Sequence, residues 1–277
     1  MPEDKFVQLN GLRLHYRDFG SEGSPALLFM HGLTGNAHCF DHVAPEFVAT
    51  HHVLALDFRG HGDSEWHSDG DYAFQRQLSD TIAFLEALGV SKVSLIGSSL
   101  GGAVAMVLGA IKPDLVERIV LNDIGPEINL PEPDEAAEAL NLLEQQFTDA
   151  TEALEYYRRC YPPARILPDT VAIEFVRNSL RVTEGGSLRW KVDPRVQAVA
   201  PTYSTSASSP GMWPLFDAVK APILVIRGAE SETLLTSTVA KMVSRRSGVR
   251  AVEVPGVGHT PWLSEPTALA ALREFLR

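Results

Sequence analysis

A serine set between glycines carries the strongest chemical signal in the sequence. Gly97-Ser98-Ser99-Leu100-Gly101 fits the pattern G-x-S-x-G and runs on into Gly102. The residues before it, VSLI, read as a strand, and LGGAVAMVLGAI after it reads as a helix. So tight a turn from strand to helix forces strained dihedrals on Ser99, and the small residues at 97 and 101 let the backbone pass closely. The hydroxyl is then held out at the C-terminal edge of a sheet. The helix N-terminus beneath it offers free N–H groups and a dipole suited to developing negative charge. The setting points to a nucleophile over a simple glycine-rich turn.

Such a serine needs a base, an acid to orient the base, and two donors for an oxyanion. Of nine histidines, His259 has both the chain order and the sheet-end position of a Ser…acid…His triad; it lies in Val257-Gly258-His259-Thr260-Pro261 after the last strand-like run. His15, His51 and His52 lie in or beside strands, and His38, His42, His61 and His67 in loops or helix starts. His31, in His31-Gly32-Leu33 directly after ALLFM, reads as a structural hydrogen-bonder. The two oxyanion donors are expected to be the N–H of Leu100 and, from the His31 turn, the N–H of Leu33. Two carboxylates end strands between Ser99 and His259: Asp123 after RIVLN, and Glu232 in Gly228-Ala229-Glu230-Ser231-Glu232. The plain alternative for either is a solvated loop carboxylate or a helix cap.

The elements that would position these residues alternate along the chain. Residues 5–19 hold two extended stretches joined at Asn10-Gly11, a hairpin signal. Short apolar runs follow at 26–30, 52–56, 93–97, 118–122, 223–227 and 250–254, with lengths that suit strands buried on both faces. Helical patterns span Gln75–Leu88, Ser99–Ile111 and Glu265–Leu276. The alternation predicts an α/β fold, a mostly parallel sheet with helices on both faces and antiparallel strands at one edge. Residues 126–213 break the rhythm, with helical patterns at 134–147, 149–161 and 168–181 and no clear buried strand. They read as a helical lid inserted into a core made of 1–125 and 214–277.

Composition narrows the functions further. With 277 residues and 45% hydrophobic content, the chain can bury a substantial core. Its 24 basic and 35 acidic residues give a net charge of −11, so no general attraction to nucleic acid or to an anionic membrane is expected. No charged leader precedes an apolar stretch and the longest apolar run, about 101–111, is too short to span a bilayer, so a cytoplasmic protein is expected. Cys39 and Cys160 read as free thiols. Without a Cys/His cluster or H-E-x-x-H motif, neither a metal nor an organic cofactor is expected.

Together HGLTGN (31–36), DFRGHGDS (57–64), GSSLGG (97–102), LNDIGPE (121–127) and VPGVGHTPWLSEP (254–266) give the chain a resemblance to the α/β-hydrolase superfamily over nearly its whole length. The resemblance implies an eight-stranded sheet, a helical lid between its sixth and seventh strands, and a bracing role for Asp57, Arg59 and Ser64. The superfamily usually draws its acid from the loop after strand seven, which here offers Glu232, while the usual position counted from Gly228 falls on Ser231. Some relatives take the acid after strand six, which is Asp123. The chain resembles one such group, the lidded hydrolases that open the amide of (acetamidomethylene)succinate, in the Asp123 loop, Arg-Gly-x-x-Ser at 227–231 and the Arg158-to-Arg195 region. That likeness favours Asp123, with Glu232 as the alternative.

The expected activity is hydrolysis of a small-molecule ester, lactone or amide through an acyl-Ser99 intermediate. Carbon–carbon hydrolysis of a dienoate ring-cleavage product, a non-catalytic small-molecule receptor and a cofactor-free oxygenase are the alternatives on the same scaffold. A homodimer is a further possibility. Residues 127–157 carry nine acids and no Lys/Arg, whereas 158–195 carry eight Lys/Arg against four acids. This basic half suggests an anionic substrate, met by Arg158, Arg181 and Trp213 and by some of Arg159, Arg165, Arg177 and Arg189. A solvated helix face that pairs with the acidic half is the competing reading.

Overall fold

Five-residue apolar runs in which every position is buried are interior strands. The structure, a computed structural model, describes residues 2–129, 142–196 and 211–277. Its main elements in chain order begin with β1 (Glu3–Leu9), β2 (Leu12–Asp18), β3 (Ala26–Met30), β4 (His52–Leu56), α1 (Phe74–Ala87), β5 (Val93–Ser98), α2 (Leu100–Ile111) and β6 (Val116–Asn122). An inserted segment follows, with β7 (Gln146–Phe147), α3 (Ala150–Cys160), α4 (Asp169–Ser179), β8 (Leu180–Val182) and β9 (Leu188–Trp190). The chain returns through α5 (Trp213–Ala218), β10 (Ile223–Gly228), α6 (Thr236–Arg245), β11 (Val249–Val254) and α7 (Pro266–Phe275).

Eight strands form one sheet in the order β1-β2-β4-β3-β5-β6-β10-β11. β1 and β2 pair antiparallel and β2 joins β4 antiparallel, while the rest run parallel. Side chains alternate across it. Leu28 and Met30 of β3 enter the core under α1, α2, α5 and α6, and Leu27 and Phe29 enter the one under α7. Among the described residues, no helix is long and apolar enough to cross a membrane.

The inserted segment departs from the helical expectation. α3 and α4 occupy the second and third predicted helices. The first, 134–147, lies mostly outside the described residues, and its described end is a 3-10 turn at Leu142–Glu144 followed by β7. β7, β9 and β8 make a small antiparallel sheet where no strand was expected. Its hairpin reads LRV-TEGGS-LRW, with Gly186 at φ 82 and Thr183 N–H bonded to Ser187 O at 2.8 Å. Leu180 and Arg181 therefore extend a strand and do not close a helix.

The loop after β4 is the brace that the motif DFRGHGDS implied. The Asp57 carboxylate, fully buried, accepts from Ala37 N at 2.6 Å, Asp63 N at 2.9 Å and His15 Nδ1 at 2.6 Å. Gly62 has φ 55, and a Cβ there would stand 2.0 Å from Asp57 Oδ2, so the turn requires glycine. Ser64 Oγ donates to Asp57 O at 2.7 Å, and Arg59 grips Asp80 through Nε and Nη2 at 2.5 and 2.8 Å.

Burial pushes the Asp57 carboxyl up, but the His15 hydrogen bond and charge pull it down further, to about 2. Burial likewise pulls His15 down, and Asp57 raises it above its ordinary value. The Asp57 contribution to stability is present above the ordinary 3.8 and is lost as pH falls through about 2. The His15 contribution is present below the ordinary 6.5 and fades as pH rises through its raised value. The melting-temperature gap between wild type and Asp57→Asn should therefore be widest between those two ordinary values. There it should reach roughly 5 °C or more, and it should narrow on both sides. A gap that is constant from pH 2 to 8 would disprove the pairing.

Candidate active site

Ser99 stands between β5 and α2 with φ 47 and ψ −110, a region that side chains rarely adopt. Close packing enforces the turn. A Cβ on Gly97 would lie 2.3 Å from the Gly101 backbone, and one on Gly101 would lie 2.3 Å from Met30 O. The Ser99 N–H bonds to Asn122 O on the neighbouring strand at 3.1 Å.

Two further residues meet it at the same sheet edge. His259 Nε2 lies 3.1 Å from Ser99 Oγ, and His259 Nδ1 lies 2.7 Å from Asp123 Oδ2. Asp123 is fully buried and also has positive φ, 53. Its N–H bonds to Ile226 O at 2.7 Å, Oδ1 accepts from Gly228 N at 3.0 Å, and Oδ2 accepts from Ser231 Oγ at 2.5 Å. Glu232 is exposed, and its backbone carbonyl accepts from Asn129 Nδ2 at 3.1 Å. The carboxylate on the imidazole is that of Asp123.

The His31 turn closes the other side. Cβ of Ser99 is 3.5 Å from where a Cβ on Gly32 would be, so this turn lies directly against the serine. Leu100 opens α2, in the first turn, where amides have no intrahelical acceptor. Among the described residues, no acceptor takes the Leu33 N–H. His31 is buried between its bonds: Nδ1 meets Gly32 O at 2.7 Å and Nε2 accepts from Phe58 N at 3.1 Å. Burial, with the nearby His61, pushes its pKa down to about 3, so it stays neutral and structural.

The residues around the imidazole are each held by a different part of the fold. Thr260 N–H bonds to Tyr161 Oη at 2.8 Å, and Pro261 O accepts from Asn122 Nδ2 at 2.8 Å. Trp262 Nε1 donates to Pro163 O at 3.0 Å. Burial pushes the Tyr161 phenol up to about 12, so it remains protonated at neutral pH. Tyr161 and Pro163 belong to the inserted segment, whose apolar core also takes in Trp262. That segment touches the other loops as well. Asn36 Nδ2 donates to Ser179 Oγ at 2.8 Å, and Asp193 N bonds to Gly60 O at 2.8 Å.

Comparison with known proteins agrees with this architecture. A model of the alpha/beta hydrolase family matches residues 27–272. The chain belongs to the α/β-hydrolase family. A 3-hydroxybutyrate-oligomer hydrolase from Cupriavidus necator is 31% identical, over 95% of this chain and 92% of that protein. A 2-(acetamidomethylene)succinate hydrolase from Mesorhizobium japonicum is 27% identical, over 98% of this chain and 94% of that protein. The crystal structure of an α/β hydrolase from Novosphingobium aromaticivorans superposes with a TM-score of 0.85 at 31% identity, covering 99% and 98% of the two chains.

Within this α/β hydrolase the expected substrate-binding side chains have other partners. Arg158 pairs with Asp169 at 2.8 Å and donates to Leu167 O. Arg159, Arg165, Arg177 and Arg181 are exposed. Arg181 lies 3.6 Å and Arg189 5.0 Å from the centroid of the Trp66 ring. Trp213 packs into the main core beside Phe216, donates to Glu127 Oε2 at 2.9 Å and lies under Lys241. It is a packing residue of the sheet body, because α5 carries it onto α2. Charge along a segment says nothing about which way its side chains turn, and here the arginines find partners within the segment, a Trp66 ring face or solvent.

Atoms of His15, Asp57 and Asp63 able to bind a metal come within 4.8 Å of one another, but the His15–Asp57 bond, the amides on Asp57 and the Lys191 ammonium on Asp63 occupy them. Asn122, Tyr161, Ser231 and Arg227 also build the site; the sequence placed Asn122, Arg227 and Ser231 in family-like segments without giving them these roles, and it did not flag Tyr161. Arg227 is buried under the loop that follows β10. It donates from Nε to Leu234 O at 2.6 Å, from Nη2 to Ser231 O at 2.8 Å, and from Nη1 to Ala229 O at 3.2 Å and Glu253 Oε1 at 2.9 Å. A lysine ammonium is a point charge that cannot span these acceptors. Arg227→Lys should cost about 2–4 kcal/mol and lower the melting temperature by roughly 5–10 °C. A calorimetric melt within a degree of wild type would refute the role.

Proposed function

We propose that the chain is a serine hydrolase that cleaves an ester of a small carboxylic acid through an acyl-Ser99 intermediate. The observation that carries this reading is the unbroken line Ser99 Oγ–His259–Asp123, at 3.1 and 2.7 Å, beside the Leu100 and Leu33 amides. His259 Nε2 takes the Ser99 proton as Oγ attacks the carbonyl, then passes it to the leaving alcohol. A water activated by the same nitrogen releases the acid. Asp123 keeps the proton on Nδ1 and steadies the imidazolium without accepting that proton. The Leu33 and Leu100 N–H groups meet the oxyanion. The inserted segment acts as a lid over this edge.

Lactones and amides pass through the same steps. An ester is favoured because the relative that acts on 3-hydroxybutyrate oligomers is the more similar of the two curated relatives and matches nearly the whole chain. Short esters of hydroxy acids are accordingly the first substrates to assay.

A fluorophosphonate probe should label wild type at Ser99, and Ser99→Ala should lose nearly all turnover while its circular dichroism spectrum stays unchanged. The expected loss is on the order of a millionfold. Label on Ser98 would move the nucleophile off Ser99, and a folded wild type that binds short esters without turning them over would replace this reading with a receptor. On the same ester, Asp123→Asn should lose ~10⁴ in kcat and Glu232→Gln little. The reverse ranking would move the acid to the loop after β10.

A further inference from the structure

Two arginines face each other across the hairpin of the inserted segment. Arg181 of β8 is the direct antiparallel partner of Arg189 of β9, so both side chains leave the small sheet on one face. Leu180 and Trp190 leave it on the other face and enter the apolar core that takes in Trp262. The arginine face therefore turns away from Trp262 and the loop of His259, and meets Trp66 in the loop after β4. Like charges directly opposite one another destabilise a strand pair. Burial and the Arg189 charge accordingly pull the Arg181 pKa below its ordinary value. Among the described residues, neither guanidinium has a hydrogen bond or an ion pair. The two carboxylates whose charge reaches Arg181 are engaged elsewhere. Asp63 Oδ2 is held by Lys191 Nζ at 2.7 Å, and Asp193 Oδ2 accepts from Tyr72 Oη at 2.5 Å and Arg195 Nη2 at 2.6 Å. Trp66 Nε1 is buried, with no acceptor among the described residues. In a chain with 35 acidic and 24 basic residues, donors gathered without an acceptor do not follow from composition.

We propose that Arg181 and Arg189, backed by the Trp66 indole, form a binding site for a small dianionic oxyanion, a phosphoryl group or a pair of carboxylates, separate from the Ser99 site. It stands independently of the ester reading. A guanidinium presents a planar fork of N–H donors that takes an oxyanion through two bonds. Two singly charged forks side by side are matched by one dianion, which converts their mutual repulsion into attraction to a shared partner. The stack on Trp66 fixes the Arg181 plane beforehand, so less ordering is left to binding. The arginines belong to the inserted segment and Trp66 to the sheet body. A bound dianion therefore reinforces the seam that Lys191–Asp63 and the Asp193 N–Gly60 O bond already make.

The test compares wild type with Arg189→Gln in chloride buffer and with inorganic phosphate, malonate or acetate added at matched ionic strength. Titration calorimetry should show phosphate or malonate binding wild type with a Kd of about 1 mM or tighter, and Arg189→Gln at least ~10-fold more weakly. At ~10 mM, the dianion should raise the wild-type melting temperature by about 2–5 °C, and acetate should leave it unmoved. A response to phosphate alone supports the phosphoryl group, and one to malonate alone supports the carboxylate pair. In chloride, Arg189→Gln should melt at or above wild type, because a repulsion is gone; with the dianion it should melt below. A merely structural arginine does not produce this crossing, since its loss lowers the melt in both buffers. Arg181→Gln gives the same comparison if Arg189→Gln fails to fold. Absence of binding by both dianions, equal binding by the arginine variants, acetate as effective as malonate, or a variant that melts below wild type in chloride overturns the proposal. Each leaves the hydrolase reading standing, because none of these measurements involves turnover.

Discussion

A carboxylate with no solvent access must be met by donors, and at Asp123 this requirement organises the whole sheet edge. Its three donors come from separate stretches of chain: Gly228 at the end of β10, Ser231 beyond it, and His259 after β11. None can be displaced without leaving a buried charge short of a partner, which costs more than the bond itself gains. The same requirement explains why Arg227 is buried nearby. Its guanidinium fixes the carbonyls of the loop that delivers the Ser231 hydroxyl.

Strain at this edge is distributed in series. Ser99 and Asp123, at the ends of adjacent strands, both hold positive φ without being glycine. Each such residue costs on the order of 1–3 kcal/mol and persists where its surroundings over-determine it. Here the next strand supplies that determination. Asn122 O of β6 captures the Ser99 amide, and Ile226 O of β10 captures the Asp123 amide. Ser99 and Asp123 are thereby held to consecutive strands of one parallel sheet, and their separation is set by sheet geometry before any side chain is placed.

Legibility in the sequence follows from how local each constraint is. The Ser99 turn was readable because packing at 2.3 Å admits only glycine at 97 and 101, and the sequence records that directly. The Asp57 brace was legible only through the family likeness of DFRGHGDS, and the structure supplies its physical reason, since a Cβ at Gly62 would stand 2.0 Å from Asp57 Oδ2. The acid left two readings because a hydrogen bond between loops 108 residues apart, Ser231 to Asp123, has no spacing signature. Ser231 was visible as a non-acid at an expected acid position, and its meaning as a donor emerged once the loops were folded. The strands of the inserted segment are two or three residues long, too short for a period-2 pattern, although the Gly185-Gly186 pair between two Leu-Arg dipeptides marked the hairpin. Trp213, expected to meet substrate, turns its indole to Glu127 and the main core.

The imidazole depends on both halves of the molecule. Asn122 of the sheet holds Pro261, while Tyr161 and Pro163 of the inserted segment hold Thr260 and Trp262. Tyr161 also packs edge-on to Trp262 at 6.2 Å, and Phe175 of α4 meets the same indole at 5.3 Å. The turn at 161–163 is therefore part of the frame that holds His259 in place. A displacement of that turn must either break the Thr260 and Trp262 bonds or carry the histidine loop with it. The packing of the inserted segment and the placement of the His259 loop are thereby one structural arrangement.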